Sequence, residues 1–246
     1  TMVALQNVRV DPDSSVATVK GAIGLFAPYE RQASLASKRG GWAWPVDAAT
    51  AGSTRRLMWT DIDYWTWEQM RLSGGKAERL DFATTAEFPR QVAINLSFTD
   101  AGLVGSIDSG TDLPLTDMVL LTDRASVATE TSAASAGITT VTIRPDAVLP
   151  AGTFLGSDLL TQTQQRRSNV VASIAQSREF GSPPIVIAWS GLVDDGLTGD
   201  SDMPPRGSAV WHLPIVIQPT PPGTRVTVPW PLMTMKPIRN VGGGRT

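Results

Sequence analysis

Val92-Ala93-Ile94-Asn95-Leu96-Ser97-Phe98 alternates between apolar and small or polar residues without a break. Successive side chains of an extended strand point to opposite faces. Val92, Ile94, Leu96 and Phe98 therefore line one side, and Ala93, Asn95 and Ser97 line the other. A strand with one buried and one polar face belongs to an antiparallel sheet. The last third of the chain repeats the signal. Ala209, Trp211, Leu213, Ile215 and Ile217 alternate, with Val210, His212, Pro214 and Val216 between them. Pro214 brings no amide hydrogen to a ladder, which predicts an edge position or a bulge there. Residues 185–189 form a continuous apolar run between Pro183-Pro184 and Gly191 and read as a further strand.

Outward from these runs the chain is heavily punctuated, with 22 Gly and 18 Pro. Residues 3–10 and 15–20 read as two strands around the turn-forming Asp11-Pro12-Asp13. Residues 23–26, 56–59, 80–82, 118–121 and 138–144 are shorter strand candidates, and Val226, Val228 and Trp230 suggest a final one. Thr60 and Asp63 have capping-box spacing, and Ile62, Trp65, Gln69 and Leu72 follow as a mixed helical face stopped by Gly74-Gly75. A short helix is predicted there, with a strand as the alternative. Ser157 is a candidate cap for a second helix, although residues 169–175 read equally as a strand. Residues 125–137 are small and polar and read as a surface loop.

The expected fold is mainly β: an antiparallel β-sandwich, jelly-roll-like, with one or two short helices and extended terminal segments. Residues 1–230 form one sandwich domain with irregular loops. Residues 231–246 form a Pro- and Gly-rich arm whose Met233, Met235 and Ile238 lack a core of their own and suit docking on a neighbouring subunit.

Composition narrows function by exclusion. The 246 residues hold one histidine, His212, and no cysteine. A Cys-His pair, a Cys-rich zinc site and a His cluster are impossible within one chain. A Ser-His-Asp triad would have to use His212, and no Gly-x-Ser-x-Gly accompanies it, so the plainer reading is a hydrogen-bonded sheet residue. The formal net charge of −2 argues against a dominant contact with nucleic acid. No apolar run approaches the ~18 residues of a membrane-spanning helix, and the first ten residues lack the basic-then-apolar pattern of a signal peptide.

Two constellations carry specific chemistry. Trp42-x-Trp44 and Trp65-x-Trp67, if extended, each project to one side of a strand and offer aromatic platforms for sugar rings; the plainer reading is core or interface packing. Asp194, Asp195, Asp200 and Asp202 crowd a Gly-containing loop and offer oxygen ligands for Ca²⁺, without the spacing of an EF-hand; the plainer reading is a solvated loop. Asp108 and Asp112, the pairs Arg55-Arg56 and Arg166-Arg167, and the carboxylates Asp61, Asp63, Glu68 and Glu78 are weaker candidates for metal, phosphate and glycosidic chemistry.

With no catalytic set and no cofactor motif, the expectation is a non-enzymatic structural subunit of a repetitive assembly, most concretely a viral or phage virion (capsid) protein assembled in the host cytoplasm. Its partners would be copies of itself and other structural subunits, joined through sheet edges and terminal arms. The alternative is a carbohydrate-binding β-sandwich, which would suit a secreted protein.

Overall fold

The computed structural model describes residues 1–46, 56–61, 64–123, 126–145, 148–149, 161–177, 184–200 and 202–233. Strands β1 (Met2–Val10) and β2 (Val16–Phe26) form a first hairpin, followed by β3 (Arg31–Ser37), β4 (Trp42–Pro45), β5 (Arg56–Asp61), β6 (Tyr64–Leu72) and β7 (Ala77–Glu87). A second hairpin, β8 (Ala93–Thr99) and β9 (Gly102–Asp108), leads to β10 (Thr116–Leu121), β11 (Ser126–Ala128), β12 (Glu130–Ser135), β13 (Ile138–Ile143) and β14 (Val148–Leu149). After helix α1 (Gln162–Ser177) come β15 (Ile185–Ser190), β16 (Leu197–Gly199), β17 (Pro205–Pro214) and β18 (Ile217–Gln218), then a 3₁₀ turn at Trp230–Leu232.

These strands make three sheets. The largest has nine strands in the order β14-β11-β10-β15-β17-β1-β2-β7-β4; a five-stranded sheet runs β12-β13-β9-β8-β18 and a four-stranded one β16-β3-β6-β5. Pairing is antiparallel except between β1 and β17 and between β8 and β18. The mainly β architecture read from the alternation is therefore present. The described strands fill three unequal sheets of nine, five and four strands, well beyond the eight strands in two sheets of a simple jelly roll.

The alternation explains the core. Met2, Ala4, Val8 and Val10 of β1 and Ala17, Val19, Ile23 and Leu25 of β2 turn inward. They share one continuous core with Leu35, Trp65, Trp67 and Leu72 of the four-stranded sheet and with Ile94, Leu96, Leu103 and Ile107 of the five-stranded one. The other face of β10, β15 and β17 is also apolar. Val119, Leu121, Ile185, Ile187, Trp189 and Val210 pack there against Val171 and Ile174 of α1. This second contact is why residues 185–189 are apolar throughout.

Close backbone approach is required where β1 and β17 pair. A Cβ on Gly207, at φ +150°, would sit 1.8 Å from the Ala4 carbonyl oxygen.

Several expectations change. The predicted short helix near Trp65 is strand β6, with Ile62 and Asp63 outside the described residues. The predicted loop at residues 125–137 contains β11 and β12. No strand forms at Val226, Val228 and Trp230, which lead into the 3₁₀ turn. Pro214 is not on an edge strand: β17 is central, and Pro214 is its last residue, where a missing amide hydrogen is tolerated. Ile217, in the same alternating run, belongs to β18 of a different sheet. The ambiguous segment is helical, but its cap is Thr161 rather than Ser157, which lies outside the described residues. Thr161 Oγ1 accepts from the Gln164 amide at 3.3 Å, and Gln164 Oε1 accepts from the Thr161 amide at 3.1 Å, forming a capping box.

Candidate functional site

The candidate surface is the outer face of β1, β2, β7 and β4. No described element covers it, whereas α1 covers the neighbouring part of the same sheet. Register fixes which side chains stand side by side. One row reads Trp44, Asp81, Ala22, Leu5 and Ser208 across β4, β7, β2, β1 and β17. The row on one side reads Trp42, Ala83, Lys20, Asn7 and Val210. Beyond it stand Thr85, Thr18, Arg9 and His212, and on the opposite side of the first row Arg79, Gly24, Val3 and Arg206.

The face has two chemically different ends. At one end Val3, Leu5, Phe26, Trp44 and Val46 are all exposed around the small residues Ala22 and Gly24. Trp42 is 51% and Trp44 60% exposed, and both border a depression of about 570 Å³ with Pro45, Val46 and Asp81. At the other end a depression of about 400 Å³ is lined by Asn7, Arg9, Asp11, Thr18, Lys20 and His212.

The paired tryptophan motifs therefore separate. Trp42 and Trp44 point outward, but Trp65 and Trp67 are only 1% and 7% exposed. Trp65 Nε1 donates to the Gly40 and Gly41 carbonyls at 3.2 and 3.1 Å, and Trp67 Nε1 donates to the Ala43 carbonyl at 3.1 Å. They anchor the segment that carries β4. Trp67 also meets Trp44 edge-on, with ring centroids 6.2 Å apart, which steadies the exposed ring. A four-tryptophan platform is not formed.

The carboxylates of the acidic loop are each engaged within the chain. Arg31 bridges Asp200, at 3.1 Å, and Asp202. Asp200 Oδ1 also accepts from the Ser34 amide at 3.2 Å. Asp194 pairs with Arg39 at 3.1 Å. Asp195 is buried, accepting from Gln6 Nε2 at 2.8 Å and from the Leu197 amide at 3.0 Å. Its carboxyl pKa is raised, chiefly by burial, although these hydrogen bonds act against the rise. The loop is thus stitched to β1 and β3 by arginines and Gln6. Among the described residues no group of three His, Cys, Asp or Glu side chains is placed to hold a metal ion.

Of the weaker candidates, Asp108, Asp112 and Arg167 are engaged in ion pairs. Arg90 bridges Asp108 and Asp112 at 3.6 and 3.1 Å. Arg167 pairs with Asp117 and lies 5.2 Å from the Trp189 ring centroid. Met233 is exposed, whereas Pro231 is buried and Leu232 packs on the main core. Arg55, Asp63, Met235 and Ile238 lie outside the described residues. No described helix is long and apolar enough to cross a membrane.

These features define a mainly β protein in which no described element covers the outer face of β1, β2, β7 and β4. No family model matches the chain, and no curated protein matches it. Among solved structures it overlaps a two-domain M1 zinc metallopeptidase bound to L-tryptophan, at 14% identity and a TM-score of 0.26, over 60% of this chain and 39% of that one. The M1 zinc metallopeptidase from Deinococcus radiodurans overlaps with the same identity and TM-score, over 58% of this chain and 38% of that one. The chain thus spans well under half the length of these enzymes, and overlap at this level says nothing about activity.

Proposed function

We propose that this chain is a non-catalytic structural subunit that associates with copies of itself, as in a repetitive assembly such as a viral or phage virion. The observation that carries the reading is the apolar end of the uncovered face, where Val3, Leu5, Phe26, Trp44 and Val46 stand exposed together. Grouped exposed apolar side chains mark an interaction surface, while scattered single residues do not; here they flank the Arg79–Asp81 pair of β7 on both sides.

The occupant is a second copy because the patch is self-complementary in charge. Arg79 and Asp81 sit two positions apart on β7, within the patch, and pair with each other at 3.2 Å while exposed. An exposed pair of this kind contributes little within one chain. Across a two-fold contact each Arg79 meets the other copy's Asp81.

Light scattering across concentration tests this. The wild-type mass is expected to rise with concentration, and Asp81→Lys, which sets cation against cation, is expected to hold the chain monomeric with an unchanged circular dichroism spectrum. The double swap Arg79→Asp/Asp81→Arg is expected to restore association. A wild-type chain that stays monomeric at every concentration sinks the proposal.

A second reading is favoured by one feature. Trp42 and Trp44 border a concave surface beside the carboxylate of Asp81, an arrangement suited to stacking a sugar ring and accepting its hydroxyl hydrogens. It predicts that a broad glycan panel contains a member that shifts tryptophan emission saturably in wild type and no longer does so in Trp42→Ala/Trp44→Ala. A panel without any such member removes it.

A further inference from the structure

The polar end of the same face holds a two-by-two patch. Arg9 pairs in register with Thr18, and Asn7 pairs with Lys20, all four projecting outward from β1 and β2. Diagonal neighbours on a sheet face are ~7–8 Å apart, so Arg9 and Lys20 stand close enough to grip one small group from two sides. Among the described residues neither cation belongs to an ion pair, although Asp11 lies at the rim of the same depression. Of the other described arginines, Arg31, Arg39, Arg71, Arg79, Arg90, Arg144 and Arg167 each have a carboxylate, whereas Arg166, Arg206 and Arg225 stand exposed without lining this depression. Two like charges left facing each other over a concavity repel, and an anion between them removes that repulsion.

The other lining groups add hydrogen-bonding capacity. Thr18 supplies a hydroxyl. Asn7 Oδ1 faces His212 Nε2 at 3.5 Å, which leaves the amide NH₂ of Asn7 for the open side. His212 itself is almost fully buried and closes the depression next to Arg9. At about 400 Å³ the concavity holds a molecule the size of a monosaccharide.

We propose that Arg9, Lys20, Asn7 and Thr18 form a binding site for the oxyanion of a small ligand, a carboxylate or a phosphate. Arg9 takes two oxygens with its planar fork, Lys20 acts as the point charge opposite, and Asn7 and Thr18 donate to the same anion or to adjacent hydroxyls. The site occupies the opposite end of the face from the apolar patch and does not depend on self-association.

Isothermal titration calorimetry on the full chain, in ~0.15 M salt to screen loose surface attraction, tests the site with three probes: inorganic phosphate, glucuronate and neutral glucose. Saturable binding of phosphate or glucuronate, with glucose silent, is expected. Phosphate alone identifies a phosphate site, and glucuronate alone identifies a carboxylate on a sugar. Arg9→Gln and Lys20→Gln, both at exposed positions, are each expected to weaken binding about tenfold, the usual loss for one charge-assisted hydrogen bond. Lys76→Gln, at a turn away from the depression, is expected to bind like wild type. The proposal is overturned if neither anion binds saturably up to about 10 mM, or if Arg9→Gln and Lys20→Gln bind as well as wild type.

Discussion

Replacing Trp211 by alanine is expected to destabilise the fold by about 3–5 kcal/mol, the usual cost of emptying a large aromatic site in a core. Trp211 sits near the middle of the nine-stranded sheet, where β17 pairs with Ala188 of β15 on one side and Val8 of β1 on the other. Its side chain is fully buried. The ring lies 5.2 Å from that of Phe88 and Nε1 donates to Ser190 Oγ at 2.8 Å. The hydroxyl of Ser190 also donates to the Gly191 carbonyl at 2.6 Å, so losing the indole leaves that hydroxyl bonded. The expected loss is therefore mainly volume and apolar contact. Trp211→Phe separates the two contributions: it keeps most of the ring and drops the indole donor, at about 1 kcal/mol for the hydrogen bond. Trp42→Ala, at an exposed position, is expected to stay within about 1 kcal/mol of wild type. Urea unfolding gives all three values from midpoints at constant slope. If Trp211→Ala lies no further from wild type than Trp42→Ala, Trp211 is not a keystone of this core.

The alternation of Ala209, Trp211 and Leu213 places Trp211 on the strand face opposite His212, but it does not say which face meets the main core, because both faces are buried. What the alternation cannot supply is the identity of the neighbours. His212 lies beside Arg9 because β17 runs parallel to β1, a pairing across about two hundred residues that no local pattern announces. The polar patch was hidden for the same reason. Asn7, Arg9, Thr18 and Lys20 occupy the unremarkable polar positions of two alternating strands, and only their register makes them a cluster.

The misreading of β6 has a different cause. Trp65 and Trp67 face inward at odd positions, but Met70 and Leu72 do so at even ones. Between them Gln69 adopts φ +54° and the register against β3 slips, the mark of a bulge. A one-residue bulge breaks the period of two, and the resulting spacing imitates a mixed helical face. The partners of the acidic loop's carboxylates are equally invisible in sequence. Arg31, Arg39 and Gln6 come from strands or turns distant in the chain and occupy its carboxylates.

The second large expected effect is loss of stability as the pH falls from about 6.5 to about 4, traceable to His212. Burial, with a smaller contribution from Arg9, lowers its pKa from 6.5 to about 4. An unfolded chain therefore binds a proton throughout that window while the folded chain does not. Stability rises with pH wherever the unfolded state holds more protons. The neutral imidazole thus contributes fully above about 6.5, and that contribution is lost as the pH drops through the window towards the folded value. A shift of this size corresponds to roughly 3 kcal/mol. Two carboxylates must be separated from it. Asp195, whose pKa is raised by burial, acts in the opposite direction, because its protonated form is favoured in the fold and its contribution declines as pH rises above 3.8. Asp202, held below 3.8 by the hydrogen bond from Arg31, loses its contribution only at pH values below that window. Comparison with His212→Gln removes both, since they are common to the two chains. Unfolding free energies measured between pH 4 and 7 are expected to fall steeply for wild type and to be nearly flat for His212→Gln. Equal slopes in the two proteins would place the acid sensitivity elsewhere and show that the His212 ring takes up its proton without leaving the folded sheet.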